Sequence, residues 1–329
     1  MRNQFVDGLK GVGILLVVVG HVLQAIYGSA ADALNNTVYV AIYSFHMPLF
    51  ALLSGYFAKK SFETHEYMEL IFSRSFRLLI PFLVWAVILY FLHKMLIGEY
   101  YKVVLAPLAA IKAIIYPVHA LWYLWVLLCL HVCAVLWSYS RWIFFAVAVF
   151  ICLISAAGDI DHYFGLRYVQ WLFPFFIIGY WFSIINYRFS LRTIVISFLS
   201  LGGLWAFLLP FYTADHFIYS TGLFYPDISI LNELLYRFGI AILGCAFFCA
   251  FYRIVYLYCP RVGFVFGFLG RISLRIYALH FFALVFIPFI YTGSVTLVSV
   301  TIITVIVLLF SLYLSACIPQ AMRRVLFGE

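Results

Sequence analysis

The sequence predicts an all-α integral membrane protein, a polytopic bundle of about ten transmembrane helices with both termini in the cytoplasm. Of its 329 residues, 67% are apolar and only 10% are charged, and its mean hydropathy is +1.10, whereas soluble domains are far more polar. Long apolar runs such as 14–19 and 294–310 lack the in–out alternation of a barrel strand. Helices therefore account for the apolar segments.

Ten apolar segments, separated by polar breaks, are predicted to cross the membrane, since a helix needs about 20 residues to cross about 30 Å of hydrocarbon. The predicted spans are 5–27, 38–58, 78–97, 119–138, 142–157, 168–186, 192–210, 234–252, 271–291 and 295–315. The connections between them are too short for a sizeable soluble domain. We therefore expect residues 1–329 to form a single transmembrane domain with no appended soluble domain.

The basic residues predict the orientation of the spans. With both termini inside, ten spans place fifteen of the 20 Lys and Arg residues on the cytoplasmic side. The five on the external side are Lys94, Lys102, Lys112, Arg167 and Arg237. This asymmetry is the one that the positive-inside rule describes, and it supports ten spans with both termini inside.

Charge and cysteine usage exclude two other classes of function. The net charge of +8 is spread over short loops without a basic domain, so no nucleic-acid partner is expected. Cys129/Cys133 and Cys245/Cys249 are four residues apart within apolar runs, and no CxxC spacing or neighbouring histidine accompanies them. The sequence therefore predicts packing thiols and no metal site.

The first span carries Lys10 and His21 on one face. They are eleven residues apart, which is almost three helical turns and about 16 Å along the axis. Lys10 is then expected at the cytoplasmic boundary, where Asp7 can pair with it, and His21 past the middle of the membrane. Such a face suits one elongated ligand. The alternative is a snorkelling lysine beside a capping aspartate.

Two further spans carry polar groups that are costly in lipid. His46 in the second span is predicted at the depth of His21, where two imidazoles can handle a proton. In the ninth span Ser273, Tyr277 and His280 form one polar stripe that should face the protein interior. For each histidine the alternative is a neutral imidazole bonded to a neighbouring helix.

Arginines mark the cytoplasmic ends of the third and ninth spans. Arg74 and Arg77 are three residues apart, and Arg271 leads into the helical turn of Arg275. Such groups are candidate forks for phosphate. The alternative is the positive-inside rule alone.

Five segments in order resemble the membrane acyltransferase-3 family, in particular its fucose 4-O-acetylase-like branch. The first is a basic residue, ten others and a histidine, here Lys10 to His21 within DGLKG through GH. The others are SFHMPLF through LSGY at 44–56, Arg74 to Arg77 before Pro81, LWYLW at 121–125, and GRISLRIY through His280 at 270–280. Most members carry arginine at the position of Lys10, so this chain has a point charge in place of a bidentate fork.

The resemblance implies a multi-pass protein of a bacterial inner membrane. It also implies acyl transfer, usually of acetyl from cytoplasmic acetyl-CoA, to a hydroxyl of a surface glycan or undecaprenyl-linked sugar on the external side. It also implies His21 as the catalytic residue. In that case Lys10, Arg74, Arg77, Arg271 and Arg275 would hold the polyanionic end of coenzyme A, while its pantetheine arm reaches toward His21.

The chemistry expected at this site is general-base catalysis. Neutral His21 would take the proton of the acceptor hydroxyl, and His46, Tyr277 or His280 would stabilise the oxyanion or orient His21. A covalent acyl-histidine or acyl-serine intermediate stays open. Candidate substrate contacts are Asp7, Ser54, Trp122 and Tyr123, although interfacial aromatics are an alternative for the last two.

Two other functions fit parts of this pattern. A transporter or flippase of an anionic or glycan substrate also needs polar groups at mid-depth and a cationic mouth. No inverted repeat is visible in the sequence, however, and the polar residues cluster in spans one, two and nine. A structural subunit of an envelope assembly would tolerate loss of His21.

Overall fold

A computed structural model of the chain describes residues 4–62, 67–96, 106–117, 121–157, 163–183, 190–213, 229–291 and 293–328. Within these ranges the chain forms helices and no strands. The α-helices are α1 Gln4–Tyr27, α2 Ala30–Ala33, α3 Thr37–Phe62, α4 Tyr67–Leu96, α5 Ala106–Ile115, α6 Trp122–Tyr139, α7 Arg141–Ala157, α8 Leu166–Phe182, α9 Leu191–Leu208, α10 Ser229–Tyr258, α11 Pro260–Arg271, α12 Ser273–Leu284, α13 Ile287–Ile290, α14 Leu297–Cys317 and α15 Gln320–Phe327.

The all-helical, multi-pass prediction is confirmed. Each of the ten predicted spans coincides with a helix, or with α12 and α13 together in the ninth case. Six segments in the described ranges are long and apolar enough to cross a membrane. They are Gln4–Tyr27, Thr37–Ala58, Leu191–Phe211, Glu233–Tyr258, Ser273–Ile290 and Leu297–Cys317. Ten crossings and cytoplasmic termini stay predictions.

The chain divides into two compact units. The first comprises Met1–Leu53, Ile185–Thr221 and Ile228–Cys317, and the second comprises Ser54–Ile184, Gly222–Asp227 and Ile318–Glu329. The first unit therefore contains α1, α2, most of α3, and α9 to α14. The second contains the end of α3, α4 to α8, and α15. The prediction of a single transmembrane domain stays a prediction.

In the first unit, α1 is the central element. Its apolar side chains pack with those of α12, α13 and α14 in a core that includes Ile14, Val18, Ile276 and Val307. Glycines let other helices approach closely: a Cβ at Gly13 would lie 2.9 Å from the ring of Phe50 on α3. Small residues permit this kind of helix contact in membranes. The position of α1 is thus fixed on several sides.

One helix of the first unit, α11, falls where a cytoplasmic loop was predicted. It crosses α1 through two glycines, because a Cβ at Gly11 would overlap the Phe266 carbonyl and one at Gly270 would overlap the Asp7 carbonyl. The helical conformation is interrupted at Ile272, whose φ and ψ are −110° and 17°. Arg271 therefore ends α11, and the ninth predicted span begins after it, at Ser273.

In the second unit, α4 packs against α5, α6 and the C-terminal helix α15. The indole Nε1 of Trp85 donates a 2.7 Å hydrogen bond to the Leu326 carbonyl, and the Trp85 ring lies 6.2 Å from that of Phe327. Helix α15 ends at Gly328, whose φ of 69° is left-handed and suits glycine at a C-cap. This anchors the end of the chain within the unit.

Candidate functional site

Helix α1 places Lys10 and His21 on one continuous element of the first unit. No proline interrupts α1 between Gln4 and Tyr27, so the two side chains keep the common face that their spacing predicts. Both residues are half-buried. Helix α1 therefore carries the imidazole of His21 and the ammonium group of Lys10 about 16 Å apart along its axis.

His21 and His280 form the central contact of the site. Nδ1 of His21 lies 2.7 Å from Nε2 of His280, within hydrogen-bonding distance. The two rings are parallel to within 5°, with centroids 5.0 Å apart. His280 is fully buried. Helix α12 thus delivers a second imidazole directly to the candidate catalytic histidine.

The hydrogen bonds define which nitrogens carry protons when both imidazoles are neutral. Nδ1 of His280 lies 3.1 Å from the Ile276 carbonyl, and a carbonyl oxygen only accepts, so this nitrogen is the donor. Nε2 of His280 then accepts from Nδ1–H of His21. His21 is left with a lone pair on Nε2, the form that a general base requires.

Within the described part of the chain, no hydrogen bond engages Nε2 of His21. The edge of Phe281 flanks the same ring, with centroids 5.3 Å apart. The His21 ring is therefore held by one hydrogen bond at Nδ1 and by one aromatic contact with Phe281. This arrangement orients a lone pair without consuming it.

His46 is buried in the same unit but is not hydrogen-bonded to His21 in the described ranges. Its Nδ1 donates to the Ile42 carbonyl at 2.8 Å. Its ring contacts Tyr43 edge-on, with centroids 4.7 Å apart. The structure therefore pairs His21 with His280 and not with His46, whose Nδ1 is bonded within its own helix.

Of the polar stripe on α12, His280 is the innermost member. Tyr277 is half-buried, and its ring lies 6.1 Å from that of His280. Ser273, at the start of α12, is also half-buried. The structure thus groups Tyr277 with the histidine pair by ring contact.

The other end of α1 gathers acidic and basic groups. Asp7 is 4% exposed, and its backbone carbonyl lies against Gly270, the residue before Arg271. Arg271 is exposed, with its guanidinium 5.9 Å from the Phe268 ring. Arg275 is half-buried and donates to Ser315 at 3.5 Å. Lys10 and Arg271 therefore flank the crossing of α1 and α11.

The remaining predicted site residues belong to the second unit. Tyr123 is buried, and its hydroxyl lies 3.2 Å from that of Ser54, so two candidate substrate contacts come together. Trp122 packs against Tyr168 with ring centroids 4.7 Å apart. Arg77 is exposed on α4. The side chain of Arg74 lies outside the described residues.

The sequence of this chain matches a known protein family over most of its length. A family described as "Acyltransferase domain", the acyltransferase-3 family, matches residues 3–316. The chain belongs to the acyltransferase-3 family. The prediction of membership made from five short segments is thereby confirmed.

Two curated relatives of this acyltransferase-3 protein are both called nodulation protein NolL. The protein from Sinorhizobium fredii is 31% identical over 187 residues, which are 55% of this chain and 49% of the relative. The protein from Mesorhizobium japonicum is 26% identical over 187 residues, 55% of this chain and 48% of the relative. The matches thus span about half the length of either relative. No solved structure matches the chain.

The acyltransferase-3 chain also brings two unpredicted polar residues to this site. Gln24 lies one turn beyond His21 on α1, and the Tyr43 hydroxyl is 3.5 Å from its Oε1. The sequence signal was available, because Gln24 follows His21 at i+3 and Tyr43 precedes His46 at i−3. Tyrosine is common at membrane–water interfaces, so its position in the sequence does not by itself indicate a functional site.

No group of three or more His, Cys, Asp or Glu side chains placed to hold a metal ion occurs among the residues that the structure describes. What the arrangement offers chemically is an oriented imidazole lone pair at one end of a helix face and cations at the other.

Proposed function

We propose that the protein transfers an acetyl group from acetyl-CoA to a hydroxyl of a glycan or undecaprenyl-linked sugar, with His21 as general base. One observation carries this proposal: the 2.7 Å contact between Nδ1 of His21 and Nε2 of His280, which orients the lone pair on Nε2 of His21. Membership of the acyltransferase-3 family supports it.

The proposed reaction is a direct acyl transfer. Nε2 of His21 takes the proton of the acceptor hydroxyl while the hydroxyl oxygen forms a bond to the thioester carbonyl carbon. The carbon–sulfur bond then breaks, and the leaving CoA thiolate takes the proton from His21. The products are the O-acetylated acceptor and CoA thiol, so His21 ends as it began.

Acetyl-CoA suits the face of α1 in length and charge. Its nucleotide end carries phosphates, which favour contacts with Lys10, Arg271 and Arg275. Its thin pantetheine arm would cover the about 16 Å from Lys10 to His21. The donor is thus proposed to approach from the cytoplasmic end of α1 and the acceptor from the other end, at the external side of an inner membrane.

His280 is proposed as a positioning residue, and the hydroxyl of Tyr277 is proposed to help stabilise the oxyanion. In catalytic triads, a buried group bonded to Nδ1–H of the base holds the imidazole in its productive tautomer. His280 makes that contact here. Nδ1 of His46 donates to the Ile42 carbonyl, so Nε2 of the neutral ring only accepts, and His46 is not proposed as a donor to the oxyanion.

The experiment that tests the proposal follows both products of the reaction. Purified wild type and His21→Ala are compared for release of CoA thiol from acetyl-CoA, and labelled acetyl is tracked into membrane glycolipid. We expect both signals from wild type and a loss of 10²- to 10⁴-fold in the variant. A matched control is His131→Gln, since His131 bonds its own helix at the Leu127 carbonyl. Equal activity in wild type and His21→Ala would refute the proposal.

A further inference from the structure

We infer that Gln24, held by Tyr43, orients the acceptor by donating a hydrogen bond to an oxygen next to the hydroxyl that His21 deprotonates. The inference rests on the proposed function and adds a residue that positions the acceptor sugar through an oxygen vicinal to the reacting hydroxyl. Four structural observations carry it: the position of Gln24 on α1, its contact with Tyr43, the packing of Tyr43, and the small residue at position 20.

Gln24 shares a face of α1 with His21. Residues three apart on a helix have Cβ atoms about 5–6 Å apart, and Gln24 lies about 4.5 Å further along the axis, away from Lys10. The donor is proposed to occupy the Lys10 side of His21. An acceptor that reaches Nε2 of His21 from the opposite side therefore meets Gln24 first.

Tyr43 determines which part of the Gln24 amide faces that acceptor. The Tyr43 hydroxyl donates to Oε1 of Gln24 at 3.5 Å, which is longer than a typical O–H···O hydrogen bond. With the Tyr43 hydroxyl as the donor, the amide oxygen of Gln24 faces Tyr43, and Nε2 with its two N–H groups faces away from it. In the described part of the chain no hydrogen bond engages that nitrogen.

The ring of Tyr43 is itself firmly placed. It stacks on Tyr39 with centroids 4.0 Å apart and contacts His46 edge-on at 4.7 Å. It passes over Gly20, where a Cβ would lie 2.9 Å from Cε2 of Tyr43. The glycine before His21 thus leaves the space that the Tyr43 ring occupies.

The geometry fits a sugar better than a simple alcohol. One side chain accepts a proton from a hydroxyl, and a second, one turn away, donates to an oxygen. Vicinal oxygens of a sugar ring present such a neighbouring pair. An isolated hydroxyl engages His21 alone, and water, which can hydrolyse acetyl-CoA in place of the acceptor, does not need Gln24 for orientation.

The test measures how acetyl is divided between acceptor and water. Membranes that contain the protein and their own glycolipid are supplied with labelled acetyl-CoA, and labelled glycolipid and free acetate are both counted. The variants are Gln24→Met and Tyr43→Phe, which keep side-chain size while removing the polar groups. Matched controls are Gln4→Met on the same helix and Tyr313→Phe, whose side chain is 65% exposed.

The expected result is a fall of about tenfold, the effect of one hydrogen bond of about 1.4 kcal/mol, in the ratio of labelled glycolipid to acetate for Gln24→Met. A smaller fall is expected for Tyr43→Phe. The double variant should be no worse than Gln24→Met, because Tyr43 acts through Gln24. Structural damage alone would lower both products together and leave the ratio unchanged.

Two outcomes overturn the inference, and a third concerns the proposed function instead. If wild type labels glycolipid and Gln24→Met keeps the wild-type ratio, Gln24 does not orient the acceptor. If the two single variants lower the ratio independently and additively, Tyr43 does not act through Gln24. If wild type and His21→Ala are equally inactive, the proposed acyl transfer is wrong, and the inference falls with it.

Discussion

His280 holds His21 by a single 2.7 Å contact between residues that are 259 positions apart in the chain. Because Nδ1 of His280 is engaged by the Ile276 carbonyl, the contact has a direction, from the backbone of α12 through two imidazoles to Nε2 of His21. An interior pair of neutral rings avoids the cost of a charge in the membrane. Burying the two histidines together thus gives each imidazole a hydrogen-bond partner without placing a charge in the membrane.

Replacing His280 with Phe should slow acyl transfer without weakening donor binding. Phenylalanine fills the space of the ring but offers no acceptor for Nδ1–H of His21, so the base loses its fixed tautomer. We expect kcat to fall about tenfold, the effect of losing one hydrogen bond of about 1.4 kcal/mol, and the KM for acetyl-CoA to stay within about twofold. Steady-state kinetics of CoA release measure both. A fall in kcat as large as that of His21→Ala would instead make His280 a direct participant.

Lys10 and Arg271 should discriminate between donors that differ in their phosphates. If these cations bind the nucleotide end of the donor, Lys10→Met and Arg271→Met will each lower kcat/KM for acetyl-CoA about tenfold. For acetyl-pantetheine, which lacks the nucleotide, the same variants should change kcat/KM little. The comparison of the two donors in each variant is the measurement.

The matched control for this donor test is Arg261→Met, because Arg261 is an exposed arginine near the start of α11. It should leave the preference for acetyl-CoA as it is in wild type. An equal loss with both donors in Lys10→Met or Arg271→Met would mean that these cations support the fold and do not recognise the nucleotide.

The helices were largely predictable because apolar length and composition act locally. Both ends of each predicted span lie within about a dozen residues of the corresponding ends of the observed helical segment. Helix α11 was missed for a physical reason: its glycines Gly267 and Gly270 lower local helix propensity, and its stability comes from contact with α1, where Gly270 meets the Asp7 carbonyl. Such a tertiary contact has no local signature.

The sequence predicts which histidines belong to the candidate site, but it does not predict which of them is hydrogen-bonded to His21. Equal depth along two antiparallel spans favoured His46 as the partner of His21, and depth is all that a sequence provides. The partner depends on how each helix is rotated about its axis. The structure turns His280 toward Nδ1 of His21, and it turns His46 so that its own Nδ1 bonds to Ile42.

Adding one methyl group at Gly270 should destabilise the protein, while the same change three residues earlier should not. A Cβ at Gly270 would overlap the backbone carbonyl of Asp7, which cannot rotate away, whereas nothing lies within 4 Å of a Cβ at Gly267. We expect Gly270→Ala to cost about 1–3 kcal/mol and Gly267→Ala to stabilise by up to about 1 kcal/mol. Thermal unfolding in detergent compares them, and equal shifts would contradict the close crossing of α1 and α11.

The packing of α15 against α4 should depend on the hydrogen bond from the indole of Trp85. Trp85 is 2% exposed, and its Nε1 donates to the Leu326 carbonyl at 2.7 Å. Trp85→Phe keeps an aromatic ring beside Phe327 but removes the donor, which should cost about 1 kcal/mol and increase protease cleavage in 318–328. The control is Trp142→Phe, since Trp142 is 85% exposed. If cleavage rises equally in both variants, the hydrogen bond does not hold the helix. If it rises only in Trp85→Phe, α15 is held by a buried polar contact in addition to its apolar face.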